Sequence, residues 1–295
     1  MSKISIIASF RNEQENLDLF INKIQETFEK LNKFDYEIIF VDDNSTDNSF
    51  SILERHFKLN KKIKVIKMHK RYGHSPSIQT ALENINDNNY CVIIDCDMQD
   101  PPELITENLK DINYDETVHF IRKKRDDGFF QKIYSYIAYI ILNFISGGKI
   151  FINAGYFKIM PPIVTEKIKS NDEYLPFWSY LITKLSIKNK KIYYSRKPRH
   201  KGDSKYNFFS INPWLTFYGG LYYFKLKYLS FSLTLLVFLI FVKNYMFFIS
   251  SIFILNLISN FIILIIIVNI ISFLIYLYLK SQKKKIKCSY DLINF

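Results

Sequence analysis

The sequence predicts an α/β fold, in which a mostly parallel sheet flanked by helices is followed by a C-terminal two-helix transmembrane hairpin. Three observations carry this. Short apolar runs alternate with helix-spaced segments through the first 120 residues, the pattern of a doubly wound sheet. Two of those runs end in carboxylates, where such sheets place their ligands. Residues 228–279 contain one charged side chain, Lys243, in a stretch long enough for two bilayer spans of roughly 20 residues each.

Each element has its own signal. Residues 3–9 form a run of strand length. Residues 13–33 carry Leu17, Phe20, Ile21, Ile24, Phe28 and Leu31 at helical spacing. Residues 36–41 are a second apolar run, ending in Asp42 and Asp43, after which Ser45 or Thr46 is placed to cap a helix through Phe50, Leu53 and Phe57. Residues 63–68 read as a strand. Residues 75–85 read as a helix with Ile78, Ala81, Leu82 and Ile85 on one face. Residues 90–94 are another strand, running into Asp95. Pro101 and Pro102 open the next helix, where Pro is favoured, and residues 117–121 close the series.

The rest of the chain is less regular. Residues 129–151 are apolar and aromatic, with Lys132 and Lys149 their only charges. They predict a helix lying either in a core or on a membrane surface. Residues 184–205 hold nine Lys/Arg and one Asp, a basic loop by composition, although Gly202-Asp203-Ser204-Lys205 within it is site-like. Residues 208–227 are aromatic-rich, as at a membrane–water interface. The spans fall near 226–247 and 255–279. Lys225 and Lys227 precede the first, and Lys280, Lys283, Lys284, Lys285 and Lys287 follow the second. The positive-inside rule then puts both outer ends in the cytosol of a multi-pass protein of the cytoplasmic membrane. The expected division is a catalytic domain at 1–207, an interfacial segment at 208–227, the two spans within 228–279, and a basic tail at 280–295. A buried helical hairpin of a soluble protein is the alternative.

Charge and cysteine usage narrow the function classes. The net charge of +12 over 295 residues divides evenly, +6 before residue 226 and +6 after it. A nucleic-acid binder is the generic reading of such an excess, but half of it flanks the apolar tail, so no nucleic-acid partner is expected. Cys91, Cys96 and Cys288 form no CxxC pair and are odd in number. That pattern disfavours a disulfide scaffold or zinc site and fits a reducing compartment. No signal-peptide pattern opens the chain.

Asp95-Cys96-Asp97 ends a strand, and in extended chain its two carboxylates point to the same side. Hard carboxylates with open coordination positions suit Mg²⁺ or Mn²⁺ bound together with substrate phosphates. Asp42 and Asp43 either cap the following helix or accept hydrogen bonds from a nucleoside. Arg199, Lys201 and Lys205 are fit to grip phosphates. No GxxxxGK[ST] loop is present, and no GxGxxG follows the first strand, which speaks against a P-loop NTPase and a dinucleotide-binding enzyme. His74 and His200 fall near these loops without a convincing partner.

Four segments together resemble the family-2 glycosyltransferases of the GT-A, Rossmann-like fold: Ser9-Phe10-Arg11-Asn12-Glu13; Val41-Asp42-Asp43-Asn44-Ser45; Asp95-Cys96-Asp97-Met98-Gln99-Asp100-Pro101-Pro102-Glu103; and Arg199-His200-Lys201-Gly202-Asp203-Ser204-Lys205-Tyr206. More narrowly they are similar to the polyprenyl-phosphate branch, which includes dolichyl-phosphate mannose synthase and bacterial undecaprenyl-phosphate glucosyltransferases. The run Gln99–Glu103 leans toward the UDP-sugar members. The resemblance implies an inverting membrane hexosyltransferase that moves a sugar from a nucleotide-sugar to a polyprenyl phosphate at the cytosolic face. It implies that Asp95, Asp97 and Gln99 hold the divalent ion and donor diphosphate. Asn12, Glu13 and Asp42 would form the nucleoside pocket. Arg199, Ser204 and Lys205 would close over the phosphates. Arg122, Lys132 and Ser135 would bind the acceptor phosphate. With Asp95 and Asp97, the catalytic set is completed by Arg199 and Lys205. Asp100 as general base is the competing idea, and a homo-oligomer stays open.

The sequence departs from the family at three places. Ser9 and Arg11 replace a usual Pro and Tyr. Asn44 stands where Gly is familiar, and Asn tolerates the left-handed backbone that Gly would supply. A pattern close to DxGDF is Asn153-Ala154-Gly155-Tyr156-Phe157 here, without its two carboxylates. That loss supports a second reading, a non-catalytic membrane scaffold of a glycan-modifying system. A processive polysaccharide synthase of the same fold is a third, but no QxxRW motif is present.

Overall fold

The computed structural model describes residues 3–29, 34–123, 136, 139–140, 142–144, 146–170, 178–197 and 288–293. Residues 1–207 with 285–295 form one compact unit, and residues 208–284 a second. The expected interfacial segment, the hairpin within 228–279 and residues 280–287 of the tail lie outside the described residues. Among the described residues no helix is long and apolar enough to cross a membrane.

Strands β1 (Lys3–Phe10), β2 (Asp35–Asp42), β3 (Ile63–Met68), β4 (Tyr90–Ile93), β5 (Glu116–Arg122), β6 (Ala154–Met160), β7 (Lys188–Tyr194) and β8 (Tyr290–Ile293) form one sheet, ordered β7-β5-β6-β4-β1-β2-β3-β8. β1 pairs in parallel with β2 and β4, β2 with β3, and β5 with β7. β6 runs antiparallel between β4 and β5, and β8 antiparallel to β3. The sheet is thus mostly parallel, as the alternating sequence pattern predicts, with two reversed strands that the pattern did not reveal. β7 falls inside the stretch expected to be a basic loop, and β8 inside the expected tail.

Helices α1 (Leu17–Glu29), α2 (Ser49–Leu59), α3 (His74–Glu83), α4 (Glu103–Leu109), α5 (Pro162–Lys169) and α6 (Trp178–Leu185) cover both faces. Alternation along β1 explains the two layers. Ile4, Ile6 and Ala8 point to a core with Phe20, Ile24, Leu53, Phe57 and Ile105, from α1, α2 and α4. Ile7 points to the other core, with Ile78, Ala81, Val164, Leu181 and Ile182, from α3, α5 and α6. The helix after β2 starts at Ser49 rather than just past Ser45 or Thr46, and its N-cap is Asn48. Ser45 and Thr46 are used instead to fasten the β2 loop to the β1 loop. Of the helix expected over 129–151, residues 136, 139–140 and 142–144 are helical, but residues 146–151 are not: the chain turns there, with Gly147 and Gly148 at φ of 64° and 81°, backbone angles that end a helix.

Candidate active site

Because β1, β2 and β4 are parallel neighbours, their carboxyl ends share one edge of the sheet. Asn12, Asn44 and Met98, which follow those strands, and Asn153, which precedes the reversed β6, all have left-handed backbones, with φ of 54°, 57°, 61° and 61°. Among the described residues these are the non-glycine positions with positive φ, and all lie at this one edge. Local strain concentrated there marks loops shaped for something other than stability.

The β1 and β2 loops are tied together. The Asn12 backbone N–H donates to Ser45 Oγ at 3.0 Å, and Asn12 Oδ1 accepts from the Thr46 N–H at 2.8 Å. The Glu13 N–H donates to Ser49 Oγ at 2.9 Å, and its Oε2 accepts from Asn16 Nδ2 at 2.7 Å. Asn12 therefore spends its amide oxygen inside the loop. Asp43 does the same with both oxygens, accepting the N–H groups of Tyr72 and Gly73 at 2.7 and 2.9 Å. Gly73, with φ of 93°, allows the turn that presents those donors.

Asp42 differs. It is fully buried, its Oδ1 accepts from the Ser45 N–H at 2.8 Å, and its Oδ2 has no partner. Burial pushes its carboxyl above the ordinary range against those hydrogen bonds. Neither Asp42 nor Asp43 caps α2. Asp42 holds an open acceptor at the sheet edge, the arrangement a nucleoside donor group would complete.

The chain after β4 builds the charged centre. Arg196, two residues past β7, donates from Nε to Asp100 Oδ1 at 2.9 Å. Its Nη2 lies 3.4 Å from Asp95 Oδ2 and 3.6 Å from Asp97 Oδ2. Tyr194 OH donates to the same Asp100 oxygen at 2.5 Å. His74 Nε2 lies 3.5 Å from Asp95 Oδ1, and its ring meets Tyr156 edge-on at 4.4 Å. Burial raises the Asp95 carboxyl, but His74, Arg196 and Arg122 outweigh it and hold the group well below the carboxylate range. Asp97 is pushed up by burial and by Asp95, against Arg196. Gln99 joins the two loops, its carbonyl accepting from the Lys197 N–H at 3.0 Å and its Nε2 donating to the Lys197 carbonyl at 3.3 Å.

Arg122, at the end of β5, is drawn into the same centre. Burial opposes its charge, but Asp100, Tyr194 and Asp95 more than restore it. Behind it, Lys158 of β6 is buried, donates to the Gly155 carbonyl, and is pushed down to about 7 by burial and by Arg122.

The structure thus gathers Asp95, Asp97, Gln99 and Arg122 at one centre, with Asn12, Glu13 and Asp42 at the neighbouring strand ends. Lys132, Ser135, Arg199, Ser204 and Lys205 lie outside the described residues. Sequence reasoning missed Arg196 and Tyr194, because their strand read as a loop. It also dismissed His74, whose partner Asp95 is distant in the chain. Among the described residues no group of three or more His, Cys, Asp or Glu could form a metal cage. A pair of carboxylates with most coordination positions open does fit Mg²⁺ or Mn²⁺ shared with substrate phosphates.

Residues 5–168 match the model of glycosyl transferase family 2. Over 204 residues the chain is 31% identical to the uncharacterized glycosyltransferase YkcC of Bacillus subtilis (strain 168), covering 68% of this chain and 62% of that protein. It therefore spans less than two thirds of that relative's length. It is 27% identical over 209 residues to the bactoprenol glucosyl transferase of Shigella phage SfX, covering 70% of this chain and 67% of that one. Among solved structures, S. aureus TarS 1-349 in complex with UDP-GlcNAc superposes with a TM-score of 0.50 at 16% identity, covering 75% of this chain and 65% of that chain. That likeness is one of fold.

Proposed function

The chain belongs to glycosyl transferase family 2, and from that premise we propose that it is an inverting hexosyltransferase that moves a sugar from a nucleotide-sugar, a UDP-hexose by preference, to a polyprenyl phosphate at a membrane surface. The observation that carries the reading is the pairing of two sites at the carboxyl ends of the two strands that flank β1. Asp42 offers a buried open acceptor after β2, and Asp95 with Asp97 offers a carboxylate pair after β4. Only β1 lies between those strands. Asp42 would receive the nucleoside, and Asp95 with Asp97 would hold Mg²⁺ or Mn²⁺. An ion held by these two carboxylates would supply neutralisation of the charge on a departing diphosphate.

An acceptor phosphate monoester, with a second pKa of about 6, is already dianionic near neutral pH. One of its oxygens forms a bond to the anomeric carbon as the bond from that carbon to the diphosphate breaks. No proton needs to be removed. Asp100 supports this division of labour, since its Oδ1 receives both Tyr194 and Arg196 and serves to position them. The enzyme's work is to align the two substrates and balance charge, which Arg122 and Arg196 are placed to do. The Shigella phage relative supports the polyprenyl acceptor, as does the apolar stretch within 228–279, read as two spans of the cytoplasmic membrane with the catalytic unit in the cytosol.

The test is a donor screen. Membranes containing the protein are incubated with labelled UDP-sugars and undecaprenyl phosphate, with and without Mn²⁺, and lipid-linked product is weighed by mass spectrometry. A Mn²⁺-dependent monoglycosylated lipid is expected, and Asp97→Ala should abolish it. No product from any donor, with UDP binding retained, would replace the enzyme by the scaffold reading.

A further inference from the structure

We propose that Arg196 is a built-in counter-ion that yields its place between Asp95 and Asp97 to the divalent cation and turns onto the donor diphosphate. The inference rests on the metal role proposed above for those two carboxylates.

The geometry sets up a competition. One guanidinium nitrogen, Nη2, stands between Asp95 Oδ2 and Asp97 Oδ2, at 3.4 and 3.6 Å. A cation of the Mg²⁺ class binds its oxygens at roughly 2.1 Å, so an ion shared by both carboxylates needs the space that Nη2 occupies. Two positive centres cannot remain together there, and Arg stays charged at any working pH. The guanidinium also has a fixed pivot. Nε is bonded to Asp100 Oδ1 at 2.9 Å, and Asp100 is buried, with Tyr194 OH donating to that same oxygen at 2.5 Å. Rotation about that anchored edge frees Nη2 without withdrawing the side chain. Once displaced, Nη2 has lost Asp95 and Asp97, and the anionic diphosphate bound to the same ion is the compensating charge within its reach.

This arrangement couples the two ligands. Without donor, Arg196 opposes the ion. With donor present, the same side chain gains a new anionic partner. Ion and donor therefore raise each other's affinity, as linkage requires. Arg196 also keeps the carboxylates compensated when the site is empty, so that a cluster of three acids can be built on one sheet edge.

The experiment measures Mn²⁺ binding by titration calorimetry on the full chain in detergent, first alone and then with saturating UDP. In Arg196→Gln the expected result is Mn²⁺ affinity about tenfold tighter without UDP, the effect of removing one neighbouring charge. The gain that UDP adds to Mn²⁺ affinity should shrink by a similar factor. Arg196→Lys, which keeps the charge, should bind Mn²⁺ more weakly than Arg196→Gln. Mn²⁺ affinity unchanged or weakened in Arg196→Gln overturns the proposal, as does Lys behaving like Gln. Should Arg196→Gln not fold, the wild type still decides, because Mn²⁺ binding indifferent to UDP is incompatible with exchange. Asp97→Asn separates the two levels. If it leaves Mn²⁺ binding at full strength, the metal role of Asp97 fails and the exchange fails with it. Binding that needs Asp97 but ignores Arg196 overturns the exchange alone.

Discussion

A Cβ placed on Gly155 would stand 2.8 Å from Nη2 of Arg122. The guanidinium fills the space that this glycine leaves open, which gives Gly155 a role without any unusual backbone angle. Gly155→Ala should therefore move Arg122 and little else, because the near atom is the tip of a flexible side chain. The expected loss is about tenfold or more in kcat/KM, the scale of a misplaced positioning group. The melting temperature should shift by only a few degrees, corresponding to about 1 kcal/mol. Kinetics and a thermal melt on the same preparation check both halves.

Asp42 trades stability for an open acceptor. Its carboxyl is raised by burial, so its favourable contribution is fully present below the ordinary carboxylate range and is lost as pH rises through the raised value. Asp42→Asn keeps the bond from the Ser45 N–H and removes the buried charge. UDP affinity should fall by about tenfold, while the melting temperature at pH 7 holds or rises. Calorimetric UDP binding beside a melt tests this, and a variant that loses stability but binds UDP normally refutes it.

His119 makes the fold acid-sensitive. It is buried on β5, with Nε2 2.7 Å from Asn189 Oδ1, and is pushed down to about 3, first by burial and then by Lys158. The unfolded chain protonates this ring near its ordinary value and the folded chain resists. Between about pH 6.5 and 3 stability therefore falls with pH, by about 1.4 kcal/mol per unit from this group. Urea unfolding at pH 7, 6 and 5 should show that slope, and His119→Gln should flatten it.

A stability network sits at the opposite edge of the sheet. Glu37 accepts from Ser5 Oγ at 2.6 Å and Asn89 Nδ2 at 3.2 Å, and pairs with Lys64 at 2.8 Å. Glu37→Ala leaves Asn89 and Ser5 short of an acceptor in a buried place. The expected cost is about 2 kcal/mol in urea unfolding, with turnover at permissive temperature unchanged. Lost turnover in a stably folded variant would contradict the separation of this network from the active site.

The two halves of the described sheet were not equally legible in the sequence. β1 to β5 and α1 to α4 were readable because each follows from local periodicity, and the gathering of Asp42, Asp95 and Asp97 at one sheet edge was readable because neighbouring parallel strands end together. β6 hid because a buried lysine, Lys158, interrupts its apolar face. β7 hid because an edge strand such as Lys188–Tyr194 needs little apolar surface, and its loop assignment concealed Tyr194 and Arg196. β8 is four residues long and gains its register only from β3. His74 became meaningful only when the sheet brought α3 to Asp95.

The pairing of β8 with β3 closes a circuit. The chain leaves the sheet after β7 and rejoins it on the far edge, with His69 N–H donating to the Ser289 carbonyl at 3.1 Å and Tyr72 OH meeting Ser289 Oγ at 3.0 Å. Whatever path the intervening residues take, departure and arrival are on the same body. Any passage through a bilayer must then consist of an even number of crossings. The order of synthesis follows as well. The sheet cannot gain its outer strand until the intervening segment has been translated, so the unit that carries the candidate site is completed only after that segment has left the ribosome.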